Sequence, residues 1–549
     1  MVGRLPAILF LLGIPSQDAG DARLEALVAD AVWARDPLVR SAARRALDDV
    51  RAPLSRERAA ALEARLRRGP ALPVAQHGEA RTLTVRVRPG REFRLLVWLP
   101  EPYRPSTPHP LLLVLGGGPL PSRDEAAGEI LGVARLWREP LRGRGWILAA
   151  LEDTASVRLE GPELRYLTLR PEDVRAAVLA AAAQYRVDLD RVHLAGISLG
   201  GNYAVQFAAA LPHAFAGAVP VVSEGESREA VLRNLAGVSL YAINGARDRN
   251  IRSIEGPRKM LEIARRLGIR SEGVEEPERG HDGFQDRYRA VLDWLGEARR
   301  DPWPRAVVRV PHEGLFPVSR AVAWVEADGD PAAFRVEARG QAIEILAARA
   351  RRLRLRLGDA LLDLDRPFSI TVNGRKVFEG SVERRAEALV ESAALDPGRP
   401  APAALEVAVP LDSDARREAA RWLGSLAPEV EPAALPWWEV YARATLRERR
   451  PRADWAGTPL PEAELASLGL GEGLSAIRLS RLDPASPEAR AGLRPGDVLL
   501  GFDDEVFYRD GPGLELVHER LLRLPELPLS YSLTVLRDGA PLRLSVSTK

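Results

Sequence analysis

Val192-His193-Leu194-Ala195-Gly196-Ile197-Ser198-Leu199-Gly200-Gly201 decides the fold. An apolar strand, announced by Arg191 to Ala195, runs into Gly-x-Ser-x-Gly and then into a helix over Asn202 to Leu211 that stops at Pro212. A serine on so sharp a strand-to-helix turn needs neighbours with almost no side chain, and Gly196 and Gly200 leave that room. The pattern predicts a nucleophile elbow with Ser198 at the end of a sheet strand. A simple glycine-rich turn is the alternative, and the flanking strand and helix argue against it.

A serine hydroxyl is a poor nucleophile alone, so an elbow calls for an acid and then a base further along the chain. Leu240-Tyr241-Ala242-Ile243-Asn244-Gly245 reads as a buried strand breaking into a turn, and Asp248 follows its end. That aspartate is the expected acid; a solvated loop residue, or an N-cap for the helix near Glu255 to Leu267, is the plainer reading. Glu278-Arg279-Gly280-His281-Asp282-Gly283-Phe284 is a polar loop before a helix over Arg287 to Leu295, and His281 is the expected base. Of the seven histidines, it alone follows the acid strand on such a loop. His193 lies inside the strand that leads to the elbow and is expected to pack, while His213 follows Pro212 and is expected to cap a helix end. Asp282 is a rival acid, but an adjacent side chain rarely turns onto its neighbour's ring.

Acyl transfer also needs donors aimed at the developing oxyanion. Leu111-Leu112-Leu113-Val114-Leu115 opens into Gly116-Gly117-Gly118. One N–H is expected from Leu199, and the other from Gly117 or Gly118, with a flexible turn as the alternative.

Residues from about Arg81 to Gly296 resemble the alpha/beta-hydrolase superfamily, in particular its polyhydroxybutyrate-depolymerase-like, dienelactone-hydrolase-like and predicted-peptidase esterases. The carrying residues are Gly116-Gly117-Gly118, the approach Tyr185 to Val192, Gly196 to Gly201, Asp248 and Gly280-His281. Such relatives usually have His-Gly where this chain has Leu115-Gly116, so a polar anchor of the oxyanion loop is missing. The resemblance implies a doubly wound α/β sheet and a Ser198, Asp248, His281 triad.

Composition bounds the rest. At 549 residues the chain exceeds one ordinary core. A hydrophobic share of 46% and a charged share of 28% are those of a globular protein. The formal charge is only +2, so no field favours nucleic acid or an anionic membrane. With no cysteine there are no thiol nucleophiles, disulfides or cysteine metal sites, and the scattered histidines form no zinc motif, so no metal or other cofactor is expected. Arg4 followed by Leu5 to Ile14 suits a signal peptide over residues 1–19, which implies a periplasmic or secreted protein, and no apolar run reaches membrane-spanning length.

Along the chain, residues 20–78 read as a helical prefix, with Leu24, Leu27, Val28, Ala31 and Val32 on one face and a helix starting at Ser55. Alternating strand and helix patterns fill 79–300, the expected hydrolase domain. Residues 305–410 carry short alternating strands and read as a small β-sandwich, with an Asn373-Gly374 hairpin. Arg349 to Arg356, interleaved with Leu353, Leu355 and Leu357, reads as a strand with a solvated arginine face. A linker region with Trp437-Trp438 spans 411–467. Ser486 to Asp504, around Ala491-Gly492-Leu493-Arg494-Pro495-Gly496-Asp497, is similar to bacterial PDZ domains and places one over 468–549. That resemblance implies a groove for a polypeptide C-terminus, with Leu468-Gly469-Leu470-Gly471 as the carboxylate loop and Ile477 to Leu479 as the receiving strand, and a purely structural module as the alternative. The combined expectation is a serine hydrolase acting on a small ester, with a peptidase of the same fold or a non-catalytic envelope scaffold as alternatives.

Overall fold

The computed structural model describes residues 17–34, 37–48, 52–70, 80–88, 91–118, 123–152, 154–157, 164–167, 169–250, 252–282, 284–312, 314–328, 332–410, 412, 415, 417, 419, 421–422, 455–468, 470, 476–482, 484, 486–502, 505–506 and 530–547. Residues 1–16 of the expected leader, Trp437-Trp438, Gly469 and Gly471 lie outside them.

Three helices come first, α1 (Gln17–Trp33), α2 (Pro37–Asp48) and α3 (Arg56–Arg68). The last starts where expected, because Ser55 Oγ accepts from the Arg58 N–H at 3.2 Å. A long α/β unit follows: β1 (Arg81–Arg88), β2 (Arg91–Trp98), β3 (His109–Leu115), α4 (Arg123–Leu141), β4 (Ile147–Glu152), the ribbon β5 (Thr154–Val157) and β6 (Leu164–Leu167), α5 (Pro171–Ala182), β7 (Val187–Ile197), α6 (Leu199–Ala210), β8 (Gly217–Val221), α7 (Glu229–Leu232), β9 (Ser239–Gly245), α8 (Arg252–Arg266), β10 (Ser271–Glu276) and α9 (Tyr288–Gly296). Eight of these strands form one sheet in the order β1-β2-β4-β3-β7-β8-β9-β10. The first two join antiparallel, and all pairs from β4 to β10 are parallel.

Strand β3 is buried at every position, as an apolar run in a sheet covered on both faces must be. Its side chains alternate between two cores, with Leu111, Leu113 and Leu115 in one and Leu112 and Val114 in the other. The register sets Leu115 opposite Gly196 and Gly196 opposite Pro220. The loops after β3, β7, β8 and β9 therefore open on the same carboxyl edge, where ligands of parallel sheets bind.

Helix α6 is buried on every side. A segment beyond the sheet unit covers its outer face: Phe316 stacks on Phe207 at 5.1 Å, the Leu315 N–H donates to Gln206 Oε1 at 3.1 Å, and the Ser319 N–H donates to the Ala210 carbonyl at 2.7 Å.

The next region holds β11 (Ala306–Arg309), β12 (Ala321–Val322), β13 (Val325–Ala327), β14 (Ala333–Arg339), β15 (Ala342–Ala348), β16 (Arg352–Leu357), β17 (Phe368–Val372), β18 (Arg375–Gly380), α10 (Ala386–Leu395) and β19 (Ala403–Ala408). Two sheets, β11-β14-β15-β17-β18 and β12-β13-β16-β19, share a core that includes Trp324, Phe334, Ile345, Leu355 and Ile370. Asn373 and Gly374 turn the β17–β18 hairpin with φ of 48° and 78°. Two features were not foreseen, and a third differs from expectation. The β15–β17 pair is parallel. Helix α10 interrupts the strands, and Ala386 and Leu389 pack with Val28, Leu62 and Leu66, so the helical prefix is docked on it. Strand β16 buries its leucines and leaves Arg352 exposed as expected, but Arg356 is only 8% exposed.

The last described sheet comprises β20 (Trp455–Pro459), β21 (Ile477–Leu482), β22 (Val498–Phe502), β23 (Glu505–Val506), β24 (Ser530–Arg537) and β25 (Ala540–Ser547), in the order β20-β21-β22-β24-β25 with β23 beside β22. Arg537 binds the turn carboxylate Asp497 through Nε and Nη2, both at 2.7 Å, which ties the Pro495-Gly496 turn to the sheet. The expected receiving strand is not open at its start: Ile477 pairs with Pro459 on one side and with Leu499 on the other. Among the described residues, no helix is long and apolar enough to cross a membrane.

Candidate active site

Ser198 sits between β7 and α6 with φ 54° and ψ −119°, a left-handed conformation that non-glycine residues avoid. The strain is held by backbone packed on backbone. A methyl group on Gly196 would overlap the Gly200 carbonyl, and one on Gly200 would overlap the carbonyls of Leu115 and Gly116. The Ser198 N–H donates to the Val221 carbonyl at 2.8 Å, which fixes the turn against the neighbouring strand. Its side chain is left half-buried at the carboxyl edge.

Asp248 and His281 meet at that edge. His281 Nδ1 lies 2.7 Å from Asp248 Oδ2, the carboxylate is buried, and the imidazole side chain is 43% exposed. An ionised carboxylate at this distance holds the proton on Nδ1 and leaves Nε2 as the free base nitrogen. Asp248 Oδ1 accepts from the Asn250 N–H at 2.9 Å, so both of its oxygens are engaged. The rival acid is used elsewhere: exposed Asp282 accepts from the Gly280 N–H at 3.1 Å.

The histidine loop is seated by features the sequence did not advertise. A methyl group on Gly245 would strike the Arg279 carbonyl, so the end of β9 and the loop lie in direct contact. The Arg247 N–H donates to that carbonyl at 2.9 Å. Phe284, with φ 50°, is fully buried, and the Arg279 guanidinium lies 4.1 Å above its ring while bonding Asp286 at 2.7 Å. Phe284 is thus a plug that anchors the loop three residues after the imidazole. Its signal was one aromatic residue in an otherwise polar stretch.

A second carboxylate borders the pair. Glu224, just after β8, is buried; its Oε1 accepts from Asn250 Nδ2 at 2.9 Å, and its Oε2 has no hydrogen-bond partner among the described residues. Arg252 Nη1 stands 4.0 Å away. Asn250 therefore links Asp248 to Glu224 through its main chain and side chain.

Of the expected oxyanion donors, Leu199 opens α6, and the carbonyls of Leu115 and Gly116, just before Gly117 and Gly118, lie against Gly200. Gly118 has φ 153°, and Leu115 is fully buried in the core, so it does not face the site. The other singled-out histidines serve packing. His193 is buried against Trp146 with ring centroids 5.0 Å apart, and burial pushes it down to about 3. His213 does not cap a helix; it is buried with φ 61°, and burial, then Arg399 and Arg300, push it down to about 3. Among the described residues, the one carboxylate cluster able to share a cation, Asp359, Asp363 and Asp365, is bound by Arg56 and Arg384.

No protein-family model matches the sequence, and no curated protein matches it. Solved structures do. A thermostable esterase is 18% identical with a TM-score of 0.34, and the match covers 40% of this chain and 63% of that one. An S-formylglutathione hydrolase from Staphylococcus aureus is 17% identical with a TM-score of 0.30, covering 40% and 99%. Dipeptidyl peptidase 4 from Porphyromonas gingivalis is 15% identical with a TM-score of 0.32, covering 41% and 36%. The chain thus spans less than two thirds of that esterase and about a third of that peptidase. At these scores the likeness is distant, and the chemistry rests on the geometry of the site itself.

Proposed function

We propose that the chain is a serine hydrolase that cleaves carboxylic esters through an acyl-enzyme, with Ser198 as nucleophile, His281 as base and then acid, and Asp248 as the orienting carboxylate. The observation that carries this reading is the strained Ser198 on the sheet edge that also bears the Asp248–His281 pair. In the first half-reaction His281 Nε2 takes the hydroxyl proton as Oγ bonds to the carbonyl carbon. The tetrahedral oxyanion is met by backbone N–H groups of Leu199 and of Gly117 or Gly118. Its collapse breaks the ester C–O bond, and the imidazolium returns its proton to the leaving alcohol. Water then attacks the acyl-enzyme by the same route, releasing the acid and restoring Ser198.

The same proposal treats the last sheet as a PDZ-like module and the first residues as a leader that sends the protein to the periplasm or medium. A fluorophosphonate probe tests the core of it. The wild type is expected to label and Ser198→Ala to stay dark; labelling of both overturns Ser198 as the nucleophile, and labelling of neither overturns the reading in favour of a scaffold. A panel of p-nitrophenyl esters beside chromogenic peptides then separates esterase from peptidase, with ester turnover expected to dominate.

A further inference from the structure

A cavity of about 90 Å³ lies just past the C-terminal end of α6, where the α/β unit meets the two-sheet region. A water needs roughly 10–15 Å³ on this measure, so there is room for several waters or one small oxyanion. Its wall includes Arg175, His213 and Arg300 from the first unit and Arg356, Asp396 and Arg399 from the second.

The wall carries more positive charge than its carboxylates balance. Arg300, 5% exposed, bonds Asp190 at 2.9 Å and Asp396 at 2.7 Å. Arg399 shares Asp396 at 3.3 Å, and Arg67 shares Asp190 at 2.6 Å. Arg356 Nη2 is bound by Glu326. Arg175 lines the same cavity and has neither an ion pair nor a hydrogen bond among the described residues. Four guanidiniums, Arg67, Arg300, Arg356 and Arg399, therefore share three carboxylates, and Arg175 stands beside them with none of its own. The C-terminal end of α6 adds the equivalent of about half a negative charge, which falls short of the excess.

A guanidinium cannot shed its proton to escape such a place, and a buried charge without a counterpart is costly. The strain shows at individual atoms. Arg356 is 8% exposed, and its Nη1 is buried with no hydrogen-bond partner among the described residues. Burial lowers Arg175, and burial, with Arg300 adding to it against the pull of Asp396, pushes Arg399 down to about 10. Burial would raise Asp396, but Arg300 and Arg399 outweigh it and hold it at about 2, so that carboxylate is already fully charged. His213 is neutral and offers no counter-charge.

We propose that this cavity binds a small dinegative oxyanion of the phosphate or sulfate class, clasped by Arg175, Arg356 and Arg399. Guanidinium forks match such oxygens two at a time, and here they come from both units. The bound ion acts as a rivet between them. It lies past the far end of α6 from Ser198, so it stands or falls independently of the proposed ester chemistry.

The test uses the full chain, freed of oxyanions by dialysis into chloride. Sodium sulfate or phosphate is titrated in at constant ionic strength while melting and binding heat are followed. Expected is a saturable rise in Tm of several degrees, with a matching calorimetric Kd. Arg175→Met should weaken that Kd by about tenfold or more without lowering Tm in chloride, because Arg175 loses no partner; ester turnover should stay within about twofold. Arg356→Met should behave likewise, and if it fails to fold, Arg175→Met decides alone. A Tm rise that is linear in sulfate and equal in wild type and variant is general exclusion from the protein surface and overturns the proposal. Acetate that binds as tightly as sulfate overturns the dianion assignment. Glycerol phosphate binding as well as inorganic phosphate identifies a phosphate ester as the source; binding of inorganic phosphate alone identifies the free ion.

Discussion

The two ends of helix α6 solve opposite problems. At its start, Ser198 is forced into φ 54° by glycines two residues away on either side, and the strained group remains half-exposed. Past its end, His213 is also left-handed at φ 61°, yet it is buried among charges brought from Arg175, Arg300, Arg356 and Arg399. Strain built from adjacent residues leaves a serine held at the surface; charge gathered from distant segments lines a partly enclosed cavity. The lesson is that one helix can hold a strained residue at one end and an interface at the other, provided that the two are separated along its length.

The largest expected effects lie at the start of α6. Ser198→Ala should abolish probe labelling and lower ester kcat by about 10⁴-fold or more, and Asp248→Asn should cost about 10⁴-fold by leaving the imidazole in the wrong tautomer. Neither should alter the sulfate response at the other end; a shifted Kd in either variant would break the separation of the two ends. Gly245→Ala comes next. Its methyl group meets the Arg279 carbonyl and pushes the His281 loop outward. A displacement near 1 Å costs on the order of 10²-fold in kcat, and steady-state assays against a parallel melt would separate this from unfolding.

For the two buried histidines, His213 at the cavity and His193 in β7, the expected signature is in stability against pH. His213 and His193 are held neutral at about 3 when folded, below their ordinary 6.5, so the unfolded chain takes up protons first. Their contribution is complete above about pH 6.5 and is lost as pH falls toward about 3, by at most about 1.4 kcal/mol per pH unit for each. Urea titrations between pH 7 and pH 4 should show the slope, and His213→Gln should reduce it while leaving the ester reaction unaltered. The smallest effect is Asn250→Ala, which removes the side-chain link to Glu224 but keeps the main-chain bond to Asp248. A drop in kcat of about threefold to tenfold is expected, or about 1 kcal/mol.

The same contrast explains what could be read in advance. The strained turn at Ser198 and the loops that carry Asp248 and His281 were legible because each depends on residues adjacent in sequence, where glycine spacing and chain order carry the information. The cavity was not. Arg356 alternates with leucines just as Arg352 and Arg354 do, and nothing nearby marks it as the one arginine of β16 that turns inward against a second unit. Phe284 and Asn250 were hidden for a related reason, since their value lies in contacts with Arg279 and Glu224 rather than in any spacing. The β20 strand that flanks β21 was likewise unforeseen, because pairing of two short strands across a helix leaves no periodic trace.

The contact of Val28, Leu62 and Leu66 with α10 joins the first helices to a segment made much later in translation. During synthesis the three helices can pack on one another, but the part of their apolar faces that meets α10 must wait until Ala386 and Leu389 have left the ribosome. Docking of these helices onto α10 is therefore a late step, set by when that segment is made.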